Sequence, residues 1–540
     1  MATDETTGEQ LRRTTGLRLQ QLKGQLFEVT LVAATLVGIL SLLLLFAYIS
    51  NDAFRPGTAS PTWFLVYLGT LVAPTAAFTL YTRRNPETRA PNAKAYAVVF
   101  GGLLLSLVTY VVVDALSPYD VFIYVLFGSV APALVIAYDR SRDNWQYSGP
   151  AVPVAIIVGL GLAAGLYDLI RQPIGIAAAW LMFFSLVTVP VALVVGWLTA
   201  VRRSRRAGAV AGGVVAAGAL TVAVASITAG TNTSLLVVLY SAFVVPTGYV
   251  IWRSVRTNPA GSVGLAGPFV LIGGVLLGAW LVGRFGIDHP DTFLTTDLLL
   301  NSWDGLTASN AGVYPQIVGS IIIVGFMAML AFPVGIGAAI YLEEYAPESG
   351  WGGRLATLLE VNISNLAGVP SVVYGLLGLA LFRRTLGLGT GIVVSASGTL
   401  ALLILPIVIV STQEALRSVP DDLRQASYGM GASRWQTLRE VVLPRAIPGT
   451  LTGTILALAR AIGETAPLVI IAVATTKYSP PSGLFSSATA LPLQIFAAAA
   501  NAKPEFRHGV VPAAAVVLLA LMLLMNATAI VIRNKYGRSS

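Results

Sequence analysis

Few residues in this 540-residue chain are placed to do chemistry. Inside one long apolar run lies Arg460-Ala461-Ile462-Gly463-Glu464-Thr465-Ala466-Pro467. Counting from Ile447, Arg460 sits about 20 Å along a helix that rises about 1.5 Å per residue. In a hydrocarbon core of about 30 Å that is deep, and a charge there is costly unless it is paired or faces water. Glu464, four residues on, shares the helical face of Arg460. Pro467 has no N–H for the Gly463 carbonyl, so the helix should be loosened beside the pair. A planar guanidinium suits a tetrahedral oxyanion, and a neighbouring carboxylate can hold it in place and prevent irreversible capture. Arg460 and Glu464 therefore read as an anion-handling site on a translocation path. The other reading is a structural ion pair at a subunit interface.

Several other chemistries are excluded. With no cysteine there is no disulfide, thiol nucleophile or Cys-ligated metal. The two histidines, His289 and His508, fall far apart in polar loops and make no metal pair. No G-x-x-x-x-G-K-[ST] phosphate cradle occurs, so any ATP must be hydrolysed by another subunit. No catalytic residue, metal site or cofactor is called for, and the chain does not read as an enzyme. Asp114 and Asp168 fall near the ends of apolar runs, where water or headgroups can solvate them.

One polar stretch, from Arg417 to Ala446, is long for a connection within a membrane bundle. Pro420 followed by Asp421 and Asp422 is a helix start, with acids at the positive end of its dipole. Gly429 and Gly431 should break that helix, and a second amphipathic piece from Trp435 to Leu443 runs to Pro444. The pattern predicts helix, glycine turn, helix. On its physics it reads equally as a docking knob or as an interfacial helix lying passively on the membrane.

The elements that position these residues are set by composition. The chain is 55% hydrophobic and 11% charged, with mean hydropathy +0.76, which excludes a soluble or disordered protein. Apolar runs long enough to cross a bilayer lie at 27–50, 62–81, 95–116, 118–138, 151–170, 174–200, 207–229, 232–252, 266–286, 315–342, 361–382, 391–416, 447–472 and 509–532. The short alternating segments of a barrel are missing, so the fold class is an all-α polytopic membrane protein with about 14 transmembrane helices. The weakest of these runs are 118–138 and 207–229. The basic N-terminus is followed by no small-residue cleavage site, so the first run reads as a retained span.

The net charge of +9 could suggest nucleic acid, but most basic residues sit in short clusters between apolar runs, as in Arg202-Arg203-Ser204-Arg205-Arg206. That arrangement orients a membrane protein and excludes nucleic acid as a partner. With both termini in the cytoplasm, basic residues favour the inner side about three to one, Arg383 and Arg384 being the clearest exceptions. The chain divides near 265. Residues 1–265 carry about eight spans and no deep ionisable pair, and residues 266–540 carry six spans with longer, more specific loops at 285–314, 417–446 and 473–508.

The inner loop resembles the signature of ABC-importer permease subunits: E-A-A, three residues, G, nine residues, I, one residue, L-P. Here it stands as Gln425-Ala426-Ser427, then Gly431, Val441 and Leu443-Pro444, with both spacings kept. Gln replaces Glu, Ser replaces the second Ala and Val replaces Ile, so the position lacks the carboxylate that a salt bridge to the ATPase would use. Further likenesses are Ala339 to Ala346, Gly368 to Phe382, and the Arg460 to Pro467 segment, whose wording is similar to phosphate permease subunits of the PstA type. The resemblance covers about 266–540. It implies a type I ABC-importer permease fold for the C-terminal six spans, a PstC-like permease partner, a PstB-like ATPase dimer gripping the coupling loop, and an external phosphate-binding protein. That protein would dock near Asp288, Asp291, Asp297 and Asp304. Another oxyanion, molybdate or sulfate, is an alternative cargo. An ion-coupled secondary transporter would need several buried carboxylates or histidines. The added spans before 265 have no counterpart in the family and read as accessory packing.

Overall fold

The computed structural model describes residues 4–141, 148–347 and 349–537. These are helical almost throughout, and two isolated bridges, Ile392–Ser487 and Ala474–Thr489, are the β-type pairings among them. Twelve helices are long and apolar enough to cross a membrane, or fourteen when two sharply bent pairs each count as one span.

In chain order the helices are α1 (Asp4–Phe54), α2 (Pro61–Arg84), α3 (Pro86–Ala115), α4 (Pro118–Ser141), α5 (Ser148–Gly165), α6 (Tyr167–Ile174), α7 (Ala179–Arg202), α8 (Arg205–Thr228), α9 (Thr233–Thr257) and α10 (Gly267–Phe285). The second half follows with α11 (Tyr314–Tyr345), α12 (Gly350–Ala367), α13 (Ser371–Thr385), α14 (Val393–Arg417), α15 (Asp421–Gly429), α16 (Arg434–Ile462), α17 (Ala466–Ile470), α18 (Leu491–Ala499) and α19 (Val511–Gly537).

The runs that looked weakest, 118–138 and 207–229, form the continuous helices α4 and α8. The departures lie elsewhere. The run 151–170 bends by 68° between α5 and α6, and the run 361–382 straddles a 113° bend between α12 and α13. The second bend has a local cause. Pro370 keeps Val369 out of the helical region, and Gly368 takes the C-cap. The Leu366 carbonyl accepts from Val369 N at 3.0 Å and also from the Tyr374 hydroxyl at 2.7 Å, which ties the two sides of the bend together.

The run 447–472 also stops early. Its helix ends at Ile462 with Gly463 as cap, and a single short helix resumes at Ala466. The outer loop read at 473–508 folds back into the protein, because Ala488, Thr489, Ala490, Leu491, Leu493 and Gln494 are all buried. Gly319 on α11 lies so close to this return that a Cβ there would stand 2.1 Å from the Thr489 oxygen. The Ser320 hydroxyl accepts from Leu491 N at 2.8 Å, and Gln316 Nε2 donates to Gln494 Oε1 at 3.0 Å. The core of this half is centred on α11 and α14, with Val318, Ile322, Met327, Leu400, Ile404 and Val408 buried together.

The packing cuts across the division at 265. Helix α1 lies against α19, and its Ala53 is buried with Leu298, Trp303, Phe506 and Val510. Helix α10 instead packs on α2, where Gly274 approaches the Thr70 carbonyl and Gly278 the Tyr67 ring. The bundle 61–285 meets the second half through α3, whose Val111, Val112 and Ala115 join the main core.

Candidate functional site

The polar stretch 417–446 forms a helix-turn-helix, as its pattern predicts. Pro420 caps α15, and Asp421 and Asp422 occupy its first turn. Gly431 adopts φ +85°, a conformation that glycine reaches without steric cost. The turn closes with Gly431 N donating to Tyr428 O at 2.9 Å and Ala432 N to Ser427 O at 3.2 Å. Ser433 and Gln436 then form a reciprocal capping box that starts the next helix.

That helix differs from the expectation of a short piece ending at Pro444. It runs on as α16 from Arg434 to Ile462, through a wider turn at Leu438–Val442. Pro444 falls at the start of the following α-helical stretch, where its missing N–H is tolerated. Val441, Leu443 and Pro444 thus belong to the same helix as Arg460.

Gln425 and Ala426 are exposed on α15, whereas Ser427 is buried and its hydroxyl meets that of Thr437 at 2.9 Å. The serine in place of alanine therefore has a partner across the turn. Under the turn, Leu416, Val419, Leu438, Val442 and Ala446 form a buried cluster. At the tip, Met430 is 84% exposed, with Tyr428 and Trp435 also largely open. Their types stand in the sequence, but only the fold brings them to one tip.

The base of the knob is ionic. Arg424 Nη1 lies 2.5 Å from Glu344 Oε1, and its Nη2 donates to Leu416 O at 2.9 Å. Arg417 Nε donates to Glu343 at 2.9 Å, its Nη2 lies 3.5 Å from Glu360, and Gln413 Nε2 donates to Glu360 at 3.1 Å. A polar cavity of about 630 Å³ opens beside them, lined by Glu343, Glu344, Glu360, Tyr428 and Arg434 among others. Pairing across 74 to 80 positions is invisible to local sequence reasoning.

Arg460 and Glu464 are brought together, with Nε 3.2 Å from Oε1. The arginine side chain is 46% exposed and the glutamate 14%. The pair does not sit on one continuous helix, since Glu464 lies past the end of α16 at Ile462. Gly375 on α13 packs on Pro467 and Ile470 of α17, so the helix after each break lies against the other. Irregular backbone at membrane depth is tolerated only where protein buries it or water lines it.

In the folded-back outer segment, burial pushes the Lys477 ammonium below the usual lysine range, while Nζ donates to Ser487 O at 2.6 Å. His508 sits in a helical turn, 3.5 Å from Asp52 and 3.4 Å from the Tyr48 hydroxyl, and so ties α1 to the N-terminal end of α19. Among the described residues no three His, Asp or Glu side chains gather as metal ligands.

Residues 331–535 match the family of binding-protein-dependent transport system inner membrane components. The phosphate transport system permease protein PstA 1 of Mycobacterium tuberculosis (strain H37Rv) is 36% identical over 226 residues, covering 41% of this chain and 70% of that protein. The chain belongs to the binding-protein-dependent permeases of ABC importers. The permease is also 31% identical to PstC of Mesorhizobium japonicum, over 41% of its own length and 72% of that relative. An inward-facing MetNI methionine ABC transporter structure shares 18% identity over 42% of this chain and 97% of that one, and its TM-score of 0.34 is too low to carry an argument. The family match takes in the knob, the ionic base and the Arg460–Glu464 pair, so the features built above lie within the permease's shared part.

Proposed function

We propose that this permease carries phosphate into the cell as one half of a heterodimeric path, with a PstC-like permease as the other half. The observation that carries the reading is the likeness to the PstA protein, 36% identical over 70% of its length. Both termini lie in the cytoplasm in this reading. A PstB-like ATPase dimer receives the knob at Gln425, Ala426, Ser427 and Gly431, and the continuous α16, with Val441, Leu443 and Pro444, carries the displacement toward Arg460. An external phosphate-binding protein delivers cargo to the outer face near Asp288, Asp291, Asp297 and Asp304. Nucleotide is bound and hydrolysed by the partner, and this chain supplies the path.

Chemically, Arg460 offers a guanidinium fork to a tetrahedral oxyanion, and Glu464 competes for it, so that capture is brief. Half-exposure leaves the fork accessible while the carboxylate steadies it. The same fork would accept molybdate or sulfate. The deciding experiment isolates the complex in mild detergent and measures its ATPase with each anion. Co-purification of an ATPase that phosphate plus the binding protein stimulates is expected. Stimulation by sulfate or molybdate alone would replace the cargo, and uphill transport by the chain alone in vesicles would overturn the assignment.

A further inference from the structure

We infer that Arg424 and Glu344 form a latch that transmits the movement of the knob to the transmembrane spans, with Arg417, Glu343 and Glu360 as its second arm. The inference rests on the coupling role proposed above for the knob and deepens it by naming the residues through which force enters the membrane.

The geometry separates two faces of α15. Gln425 and Ala426 are exposed, and Gln425 carries no charge to offer a partner. Arg424, its immediate neighbour, points the other way: its side chain is 16% exposed and meets Glu344, 12% exposed, at 2.5 Å. Its second nitrogen donates to the Leu416 carbonyl at the inner end of α14. One guanidinium therefore joins three elements, α15, α11 and α14. The charge nearest the family signature is spent inward, on this chain's own spans.

The second arm reaches further. Arg417, the last residue of α14, donates to both Glu343 oxygens at 2.9 Å and lies 3.5 Å from Glu360 on α12. Helix α12 leads directly to the 113° bend at 368–370, and α13 beyond the bend packs through Gly375 on Pro467 and Ile470 of α17, which follows the Arg460–Glu464 pair. Displacement of the knob is thus linked by ion pairs to α11 and α12, and through α12 and the bend to α13 and α17. Such pairs are directional and nearly dry on the Arg424 side, where breaking one partner leaves the other uncompensated. The apolar cluster of Leu416, Val419, Leu438 and Val442 holds the knob together but carries no such direction.

Arg424 and Glu344 are positioning residues, so the readout must be coupling. The full-length chain, assembled with its ATPase and partner permease in proteoliposomes, is assayed for phosphate taken up per ATP hydrolysed. Arg424→Glu and Glu344→Arg are each expected to keep ATP hydrolysis while lowering that ratio by roughly tenfold, within the range of coupled charge pairs. The double exchange Arg424→Glu/Glu344→Arg should recover most of the ratio, and Arg424→Lys should fall between. Should a single reversal fail to assemble, restoration of assembly and ratio by the exchange still supports the latch. An unchanged ratio in both single variants, or an exchange that assembles and remains as poor as either, overturns it. If phosphate does not stimulate the wild-type complex, the cargo assignment falls separately, and the ratio is read with sulfate or molybdate.

Discussion

At the scale of single residues, Gly431 and Arg460 carry separable tasks. Gly431 turns the chain at φ +85° with open space around its Cα, so a larger side chain is penalised by backbone strain rather than by collision. Gly431→Leu should cost about 1–3 kcal/mol locally and distort the tip proposed above to meet the ATPase. ATP hydrolysis should then run without matching uptake, and normal phosphate accumulation would count against the docking assignment. Arg460→Gln keeps an N–H donor on a shorter side chain and removes the charge. Passage of the anion should fall roughly ten- to a hundredfold, the worth of a charge-assisted bond. The complex should still co-purify intact. Unchanged uptake would reduce the Arg460–Glu464 pair to a structural contact.

At the scale of elements, hydropathy located the apolar helices, twelve continuous and two sharply bent, and the polar helix-turn-helix between them, because both depend on local composition. It could not reveal the bends. Gly368, Val369 and Pro370 sit inside an unbroken apolar run, and the 113° turn they make follows from proline geometry and the Tyr374 cap. Likewise Gly463 and Pro467 suggested a loosened helix, whereas α16 ends outright at Ile462. The segment 488–494 is moderately apolar and preceded by polar turns, so it reads as loop until the small face of α11 admits it. That admission is testable at Gly319. A Cβ there would stand 2.1 Å from the Thr489 oxygen, a backbone atom with no rotamer to move. Gly319→Ala should destabilise the protein by about 1–3 kcal/mol, as overpacking does, and lower the thermal midpoint in detergent. An unaltered midpoint would mean that the returning segment is held only loosely.

At the scale of the whole molecule, the packing argues for a transport unit whose first span is α1 and into which residues 59–290 are inserted. Ala53 is buried against Trp303 and Phe506, and Asp52 meets His508 at 3.5 Å. The two ends of the intervening segment are adjacent: Ser60 N donates to Asp288 O at 3.2 Å, Asp291 N to the Thr58 hydroxyl at 2.9 Å, and Phe293 N to Ala53 O at 3.2 Å. Adjacent ends are what a tolerated insertion requires, and closure entropy grows only slowly with its length. Within the insertion, Gly196, Gly208 and Gly212 bring α7 and α8 into backbone contact. Two deletions therefore have opposite expected outcomes. Joining Thr58 to Asp291 through a short glycine linker removes α2–α10 and should leave assembly with the ATPase and phosphate uptake in place. Starting the chain at residue 262 keeps α10 but discards α1, exposing the cluster around Trp303 and Phe506, and should lower the yield of intact complex. Full assembly of the chain starting at 262, together with loss of assembly in the bypassed chain, would return the boundary to residue 265 and make α10 the first span of the transport unit.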